Sequence, residues 1–238
     1  MAEATPRVMI MAGGTGGHIF PALAVAKELQ ARHVHTVWLG SKAGLENKIV
    51  PQHGIKLITT VVSGLRGRGV LRWLFAPLLL SVALMQSILA LLKTRPGVVL
   101  GMGGFASGPG GVAAWLCRIP LLIHEQNAKP GLTNALLSRL AAGVFQAFPN
   151  TFAADTAVTV GNPVRNEIRN VPEPAIRNHD PAVMRILIVG GSRGARTLNE
   201  HVPLALAMLP TDKFSVWHQC GDGQVETTRG RYPEQAAD

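Results

Sequence analysis

Three times along this chain an apolar run of strand length breaks into a glycine cluster that opens a helical stretch. The clusters read G-G-T-G-G-H at 13–18, G-G-F-A-S-G-P-G-G at 103–111 and G-G-S-R-G-A-R at 190–196. A strand that turns sharply into a helix leaves unpaired N–H groups at the helix start, and the aligned peptide dipoles make that end electropositive. Glycine allows positive φ there and lets an anion approach the main chain without meeting a Cβ. Apolar runs at 8–12, 36–39, 98–102, 121–124 and 185–189 alternate with amphipathic helical stretches, which is the pattern of parallel sheets with crossover helices. The run R-I-L-I-V at 185–189 is continuously aliphatic, as a strand buried on both faces should be. The fold class is therefore α/β.

Residues 161–184 hold four prolines and little apolar periodicity, a linker composition. The expected organisation is one α/β domain over 1–162, a linker over 163–183 and a second domain over 184–238. That second domain offers one clear strand, one helix and the segment 214–219, a marginal size for a Rossmann-like half. It is expected to be incomplete.

The best-known glycine motifs fail. G-x-G-x-x-G read from Gly14 would need glycine where Ile19 stands, and the second strand ends in Gly40 and Ser41 without an acid for a ribose, so a nicotinamide or flavin cofactor is disfavoured. No G-K-[S/T] occurs, which excludes a P-loop. Lys and Arg total 23 against 14 acidic residues, a formal charge of +9, so an anionic partner is expected. Nucleic acid fits poorly, because only 5 % of residues are aromatic and no block of consecutive Lys/Arg occurs. Cys117 and Cys220 lie in different halves without metal-ligand spacing, and the start M-A-E-A-T-P-R has no secretory pattern; a reducing, cytoplasmic setting is expected. His18 stands where the first cluster's helix begins, next to backbone donors. An imidazole there can serve as a base at neutral pH, or it can simply cap and pack the helix.

From 73 to 92 the chain runs W-L-F-A-P-L-L-L-S-V-A-L-M-Q-S-I-L-A-L-L, without a charge. That length can span a bilayer, yet the stretch lies between elements that must share one sheet. Arg66, Arg68 and Arg72 precede it, Lys93 and Arg95 follow, and Trp73 stands at one end. Such flanks suit a helix lying in the headgroup region of an anionic leaflet, in preference to one buried against the sheet or spanning.

The blocks M-A-G-G-T-G-G-H-I-F-P-A-L-A-V-A, S-G-L-R-G-R-G, G-M-G-G-F-A-S-G-P-G-G-V-A-A, H-E-Q-N-A-K-P-G-L-T-N, V-G-N-P-V-R and G-G-S-R-G-A-R-T-L-N stand in order across nearly the whole chain. In this the sequence resembles the MurG family of peptidoglycan glycosyltransferases. The resemblance implies a glycosyltransferase-B fold of two Rossmann-like domains, the acceptor on the first and the nucleotide sugar mainly on the second. It implies an inverting hexosyltransferase that moves N-acetylglucosamine from UDP-N-acetylglucosamine to the 4-hydroxyl of an undecaprenyl-linked muramyl-pentapeptide in peptidoglycan synthesis.

The acceptor diphosphate is then expected on the first two clusters, at Gly13, Gly14, Gly103, Gly104, Ser107 and Gly108 within 13–17 and 103–111. The UDP-sugar is expected to touch Thr15, Gly16, Gly17, Asn127, Arg165 and Ser192. His18 is the candidate base, with Glu125 as runner-up or as the group that orients substrate. The N–H groups of 191–195 and Arg165 would stabilise the departing UDP without a metal or other cofactor. Trp73, Leu74, Phe75, Leu78 and Leu79 would contact the cytoplasmic face of the bacterial inner membrane, peripherally. Partners would be that anionic surface and cell-wall synthesis or division proteins, with no nucleic acid.

Two departures stand out. Arg193 replaces the glutamine common in the family's third cluster, and the family's second domain continues beyond the point where this sequence stops. A truncated, non-catalytic module that binds only the lipid diphosphate and the membrane is the alternative.

Overall fold

The structure is a computed structural model that describes residues 6–61, 76–173, 183–191, 195–210 and 213–232. Trp73, Leu74, Phe75 and Ser192, together with Arg66, Arg68, Arg72 and Arg193, lie outside the described residues. Two compact units divide the chain, Met1–Val171 and Pro172–Asp238.

The first unit begins with β1 (Arg7–Met11), α1 (Gly16–Ala31), β2 (His35–Ser41), α2 (Glu46–Ile49) and β3 (Lys56–Thr60). It continues through α3 (Ala76–Thr94), β4 (Val98–Gly101), α4 (Ser107–Leu116), β5 (Leu121–Glu125) and α5 (Leu132–Leu137), and closes with β6 (Gly143–Gln146), β7 (Val158–Thr159) and α6 (Asn166–Arg169). All seven strands form one sheet in the order β3-β2-β1-β4-β5-β6-β7, and every pairing is parallel.

Alternation along β1 builds both faces. Met9 and Met11 join Val37, Leu39, Val99 and Ile123 under α3 and α4. Val8 and Ile10 join Trp38, Ile19 and Leu23 under α1. Successive side chains on a strand point to opposite faces, so a strand covered on both sides must be apolar throughout. Trp38 is fully buried, and its indole N–H donates to the Ala12 carbonyl oxygen at 2.8 Å, tying β2 to the end of β1.

The strands β3, β6 and β7 were not marked by the sequence pattern. K-L-I-T-T is half-exposed and β6 and β7 are only four and two residues long, so periodicity has little to act on. They are strands because neighbours offer them a ladder, as in Leu39↔Ile58 and Ile123↔Val144; strand formation depends on pairing more than on intrinsic preference.

The apolar stretch becomes α3, which is long and apolar enough by length and composition to cross a membrane. One side of it, with Ala83, Ser87, Ala90, Leu91 and Thr94, is buried in the first unit, while Leu78, Met85, Leu89 and Leu92 are exposed on the other. Part of the expected linker is helical: α6 is fixed to α1 by a Lys27–Glu167 ion pair at 3.1 Å.

The second unit holds β8 (Met184–Val189), α7 (Arg196–Leu206), β9 (Phe214–Gln219) and α8 (Val225–Arg229). Its two strands pair in parallel, Ile186 with Val216. Asn199 of α7 donates to the Cys220 carbonyl oxygen at 2.9 Å. Both cysteines are free thiols.

Candidate functional site at the paired glycine loops

The sheet order reverses between β1 and β4, since β2 and β3 lie to one side and β5 to β7 to the other. Open parallel sheets bind ligands at such a switch point, outside the carboxyl ends of the strands. Both glycine clusters of the first unit emerge there, one from β1 into α1 and the other from β4 into α4.

The loops touch directly. Gly13 N–H donates to the Gly103 carbonyl oxygen at 3.3 Å, and Met102 N–H donates to that of Met11 at 2.8 Å. Gly104 has φ +93°, and a Cβ there would land on the backbone of Gly13. Ser107, fully buried, donates its hydroxyl to the carbonyl oxygens of Met11 at 2.9 Å and Gly103 at 2.8 Å.

His18 completes the pair. Its Nδ1 lies 3.3 Å from the Gly13 carbonyl oxygen, and its ring covers Gly103, where a Cβ would come within 2.8 Å of Cδ2. A ring N–H on Nδ1 donates to that carbonyl and leaves the lone pair on Nε2. Thr15 is the N-cap of α1 in extended conformation, its hydroxyl making no capping bond. Thr15 and Gly17 are exposed. The N–H groups of Gly16 and Gly17 head the helix, where no intrahelical acceptor exists.

Three expected residues play other parts. Gly14 N–H is turned inward and donates to Glu46 Oε2 at 3.1 Å, so it is not open to a ligand. Gly110 and Gly111 serve packing: a Cβ at the first would come 2.9 Å from a Leu39 methyl, and at the second 2.6 Å from a Leu137 methyl. The accessible part of the second cluster is therefore its start, around Gly104 and Gly108, both half-buried.

Glu125 is an interior hub. Its carboxylate is 1 % exposed and accepts from Asn127 N–H at 3.0 Å, Asn127 Nδ2 at 2.8 Å, Gly131 N–H at 3.1 Å and Asn134 Nδ2 at 2.8 Å. With both oxygens occupied it has no lone pair aimed at solvent, and its effect is to hold the loop after β5. That loop presents Asn127, which is exposed.

Next to Glu125, His124 Nε2 lies 3.0 Å from the Gly161 carbonyl oxygen and Nδ1 3.2 Å from Gln126 Nε2. Burial pushes the His124 imidazole below its ordinary pKa, against the smaller upward pull of the Gly161 bond and the Glu125 charge. Asn162 Nδ2 donates to the Gln126 carbonyl oxygen at 3.1 Å, which anchors the G-N-P-V-R segment. Arg165 beyond it is exposed, with its guanidinium 4.8 Å from the Phe20 ring centroid.

In the second unit Gly191 has φ +75° and its carbonyl oxygen accepts from Gln219 Nε2 at 2.7 Å. Leu78 is exposed, whereas Leu79 is half-buried and lines an apolar hollow of about 530 Å³ with Leu84, Phe105, Gly108, Leu132 and Leu136. Among the described residues no group of three or more His, Cys, Asp or Glu is arranged to hold a metal ion.

Glu46 leaves no motif in the sequence. Nucleotide-binding sheets place an acid directly after β2, and none stands there; Glu46 instead reaches back from α2. The signal was the glycine at both Gly40 and Gly44, each leaving space that this side chain fills.

Fold and loops together define an α/β protein of glycosyltransferase-B type. Residues 8–146 match the glycosyltransferase family 28 N-terminal domain, and residues 185–237 match the glycosyltransferase family 28 C-terminal domain. The chain belongs to glycosyltransferase family 28.

A relative from Nitrosococcus oceani is 54 % identical over 92 % of this chain and 62 % of its own length. It carries the name UDP-N-acetylglucosamine–N-acetylmuramyl-(pentapeptide) pyrophosphoryl-undecaprenol N-acetylglucosamine transferase. The crystal structure of Acinetobacter baumannii MurG is 40 % identical with a TM-score of 0.71, over 97 % of this chain and 63 % of that one. A UDP-N-acetylglucosamine 2-epimerase, 13 % identical with a TM-score of 0.63 over 98 % of this chain and 68 % of its own, shares the fold. This chain spans less than two thirds of the length of the curated relatives it matches first.

Proposed function

We propose that the chain belongs to an inverting hexosyltransferase that moves N-acetylglucosamine from UDP-N-acetylglucosamine to the 4-hydroxyl of an undecaprenyl-linked N-acetylmuramyl-pentapeptide. The names of relatives near 50 % identity support the substrates. The observation that carries the chemistry is the convergence of two glycine loops at one switch point with His18 between them.

On this reading the acceptor's diphosphate lies along the N–H groups at the start of α1 and beside Gly104 and Gly108. His18 Nε2 takes the proton of the acceptor hydroxyl as its oxygen bonds to the anomeric carbon. The bond from that carbon to UDP breaks, and UDP leaves with the electron pair. Inversion requires this attack from the face opposite the leaving group. Arg165 meets the charge that develops on the leaving diphosphate; Ser192 and the N–H groups of 191–195, expected to share that role, include residues 192–194, which lie outside the described residues. Asn127, held by Glu125, and Thr15 contact the nucleotide sugar. Neither protein step calls for a metal.

The exposed side of α3, with Leu78, Leu89 and the last-turn Lys93, together with the Arg95 that follows, supports peripheral attachment to an anionic cytoplasmic leaflet, where each cation near the surface contributes roughly 1 kcal/mol. Leu78→Glu combined with Leu89→Glu is expected to abolish co-sedimentation with vesicles rich in anionic lipid. Unchanged sedimentation would remove α3 from the contact.

The central test follows radiolabelled N-acetylglucosamine from UDP to a lipid-linked muramyl acceptor. His18→Ala is expected to slow transfer by about 10²-fold or more, as the loss of a general base does; full transfer by the variant would take His18 out of the mechanism.

A further inference from the structure

Glu46 is the one fully buried carboxyl group outside the Glu125 hub among the described residues, with 0 % exposure. Its Oε1 accepts from Ser41 N–H at 2.8 Å and from the Ser41 hydroxyl at 2.8 Å, and its Oε2 accepts from Gly14 N–H at 3.1 Å. No Lys, Arg or His is paired with it among the described residues. A buried negative group without a cation is costly unless its lone pairs are filled, and here every donor belongs to a loop or strand end.

Three glycines make the space. A Cβ at Gly40 would come within 2.7 Å of Glu46 Cγ, and one at Gly13 or Gly44 would run into the carboxyl group itself. The sequence thus gives up side chains on three sides of one acid. That acid sits between β1 and β2, where a parallel nucleotide-binding sheet holds a ribose with an acid after its second strand.

We propose that Glu46 acts as an internal anion: it occupies the Gly14 end of the first glycine loop, fixes that loop's shape, and so confines ligand phosphate to the Gly16–Gly17 end. It is a positioning residue that acts through the loop and touches no substrate. This rests on the reading of the first loop as a diphosphate site.

The sign of one substitution separates positioning from plain electrostatics. Glu46→Gln removes a negative charge beside an anion site, which by Coulomb's law alone tightens anion binding. It also puts an amide N–H against the N–H of Gly14 or Ser41, which deforms the loop and weakens binding. Inorganic pyrophosphate, titrated by calorimetry into the chain, is the probe. A tenfold or greater loss of affinity in Glu46→Gln is expected, and equal or tighter binding overturns the proposal.

Hydrogen exchange at single amides supplies the readout that does not depend on the ligand. Gly14 N–H should be protected in the parent protein and exchange at least tenfold faster in Glu46→Gln, while Met9 and Ile10 in β1 keep their protection. Equal exchange at Gly14 overturns the proposal. Should the parent chain bind no pyrophosphate, the diphosphate reading of the loop fails, and the exchange result alone decides whether Glu46 sets its shape.

Glu46→Ala removes an acetate-shaped piece, so added acetate should restore part of the Gly14 protection, with chloride as the control. This keeps the test decisive if Glu46→Gln does not fold, and an absence of rescue counts against the proposal.

Discussion

The first and third glycine clusters share a layout of strand, glycine loop and helix, yet they use glycine for different reasons. In the first unit the loops after β1 and β4 press on each other, and a side chain at Gly104 has nowhere to go. At Gly191, after β8, the backbone is left-handed but a Cβ would meet nothing within 4 Å among the described residues. The paired loops are joined by backbone bonds, by Ser107 and by the His18 ring, whereas the described start of the third is tied to the end of β9 by Gly190 N–H donating to the Gln219 carbonyl oxygen and by Gln219 Nε2 donating to that of Gly191. One motif therefore serves two ends: close contact of two main chains in the first case, and a left-handed turn at Gly191 in the second.

The sharpest way to break this comparison is a matched pair of alanine substitutions. Gly104→Ala adds a Cβ on top of the Gly13 backbone and forces a positive φ on a residue that resists it. We expect a loss of about 3 kcal/mol or more in the first unit. Gly191→Ala meets only the conformational penalty, about 1–2 kcal/mol. Denaturant unfolding followed by a probe in each unit measures both; equal losses would mean that steric contact between the loops adds nothing.

A smaller effect sharpens the account of the loop after β5. His124 is held below its ordinary pKa by burial, so the folded first unit binds that proton more weakly than the unfolded chain does. Its stability is then complete above about pH 6.5 and falls as pH drops toward the lowered folded value. Melting temperature followed from pH 8 to 5 should show this decline, and His124→Gln, which retains a donor toward Gly161, should flatten it. A wild-type profile that is flat across the window would place His124 outside the acid response. His218 in the second unit is likewise held low by burial, so a probe in that unit should register a slope of the same sign.

Much was legible before the fold. The strands at 8–12 and 185–189 were visible as unbroken apolar runs, each within one residue of its end; β1 is covered on both faces as such a run should be, whereas β8 is not, since Met184, Leu187 and Val189 are exposed and only Ile188 is buried. The failures share a cause: β3, β6 and β7 are short or half-exposed, and only pairing makes them strands. Glu125 looked like a reactive group because an acid beside a histidine and two amides carries no record of direction. Packing turned both of its oxygens inward onto Asn127, Gly131 and Asn134. The apolar run at 73–92 announced a surface helix, and the burial of Ala83, Ala90 and Leu91 fixed which side of it the sheet claims.

By itself the sequence determined that this chain forms parallel α/β units whose strands break into glycine turns at helix starts, because glycine spacing and apolar runs act locally on φ, ψ and burial. Only the tertiary structure decided that the first and second loops meet and that Glu46 fills the Gly14 end of the first. Those outcomes depend on strand order, which places β1 beside β4 and β2 although the chain separates them by different distances. Contacts between remote segments leave no periodic trace in the residues that make them.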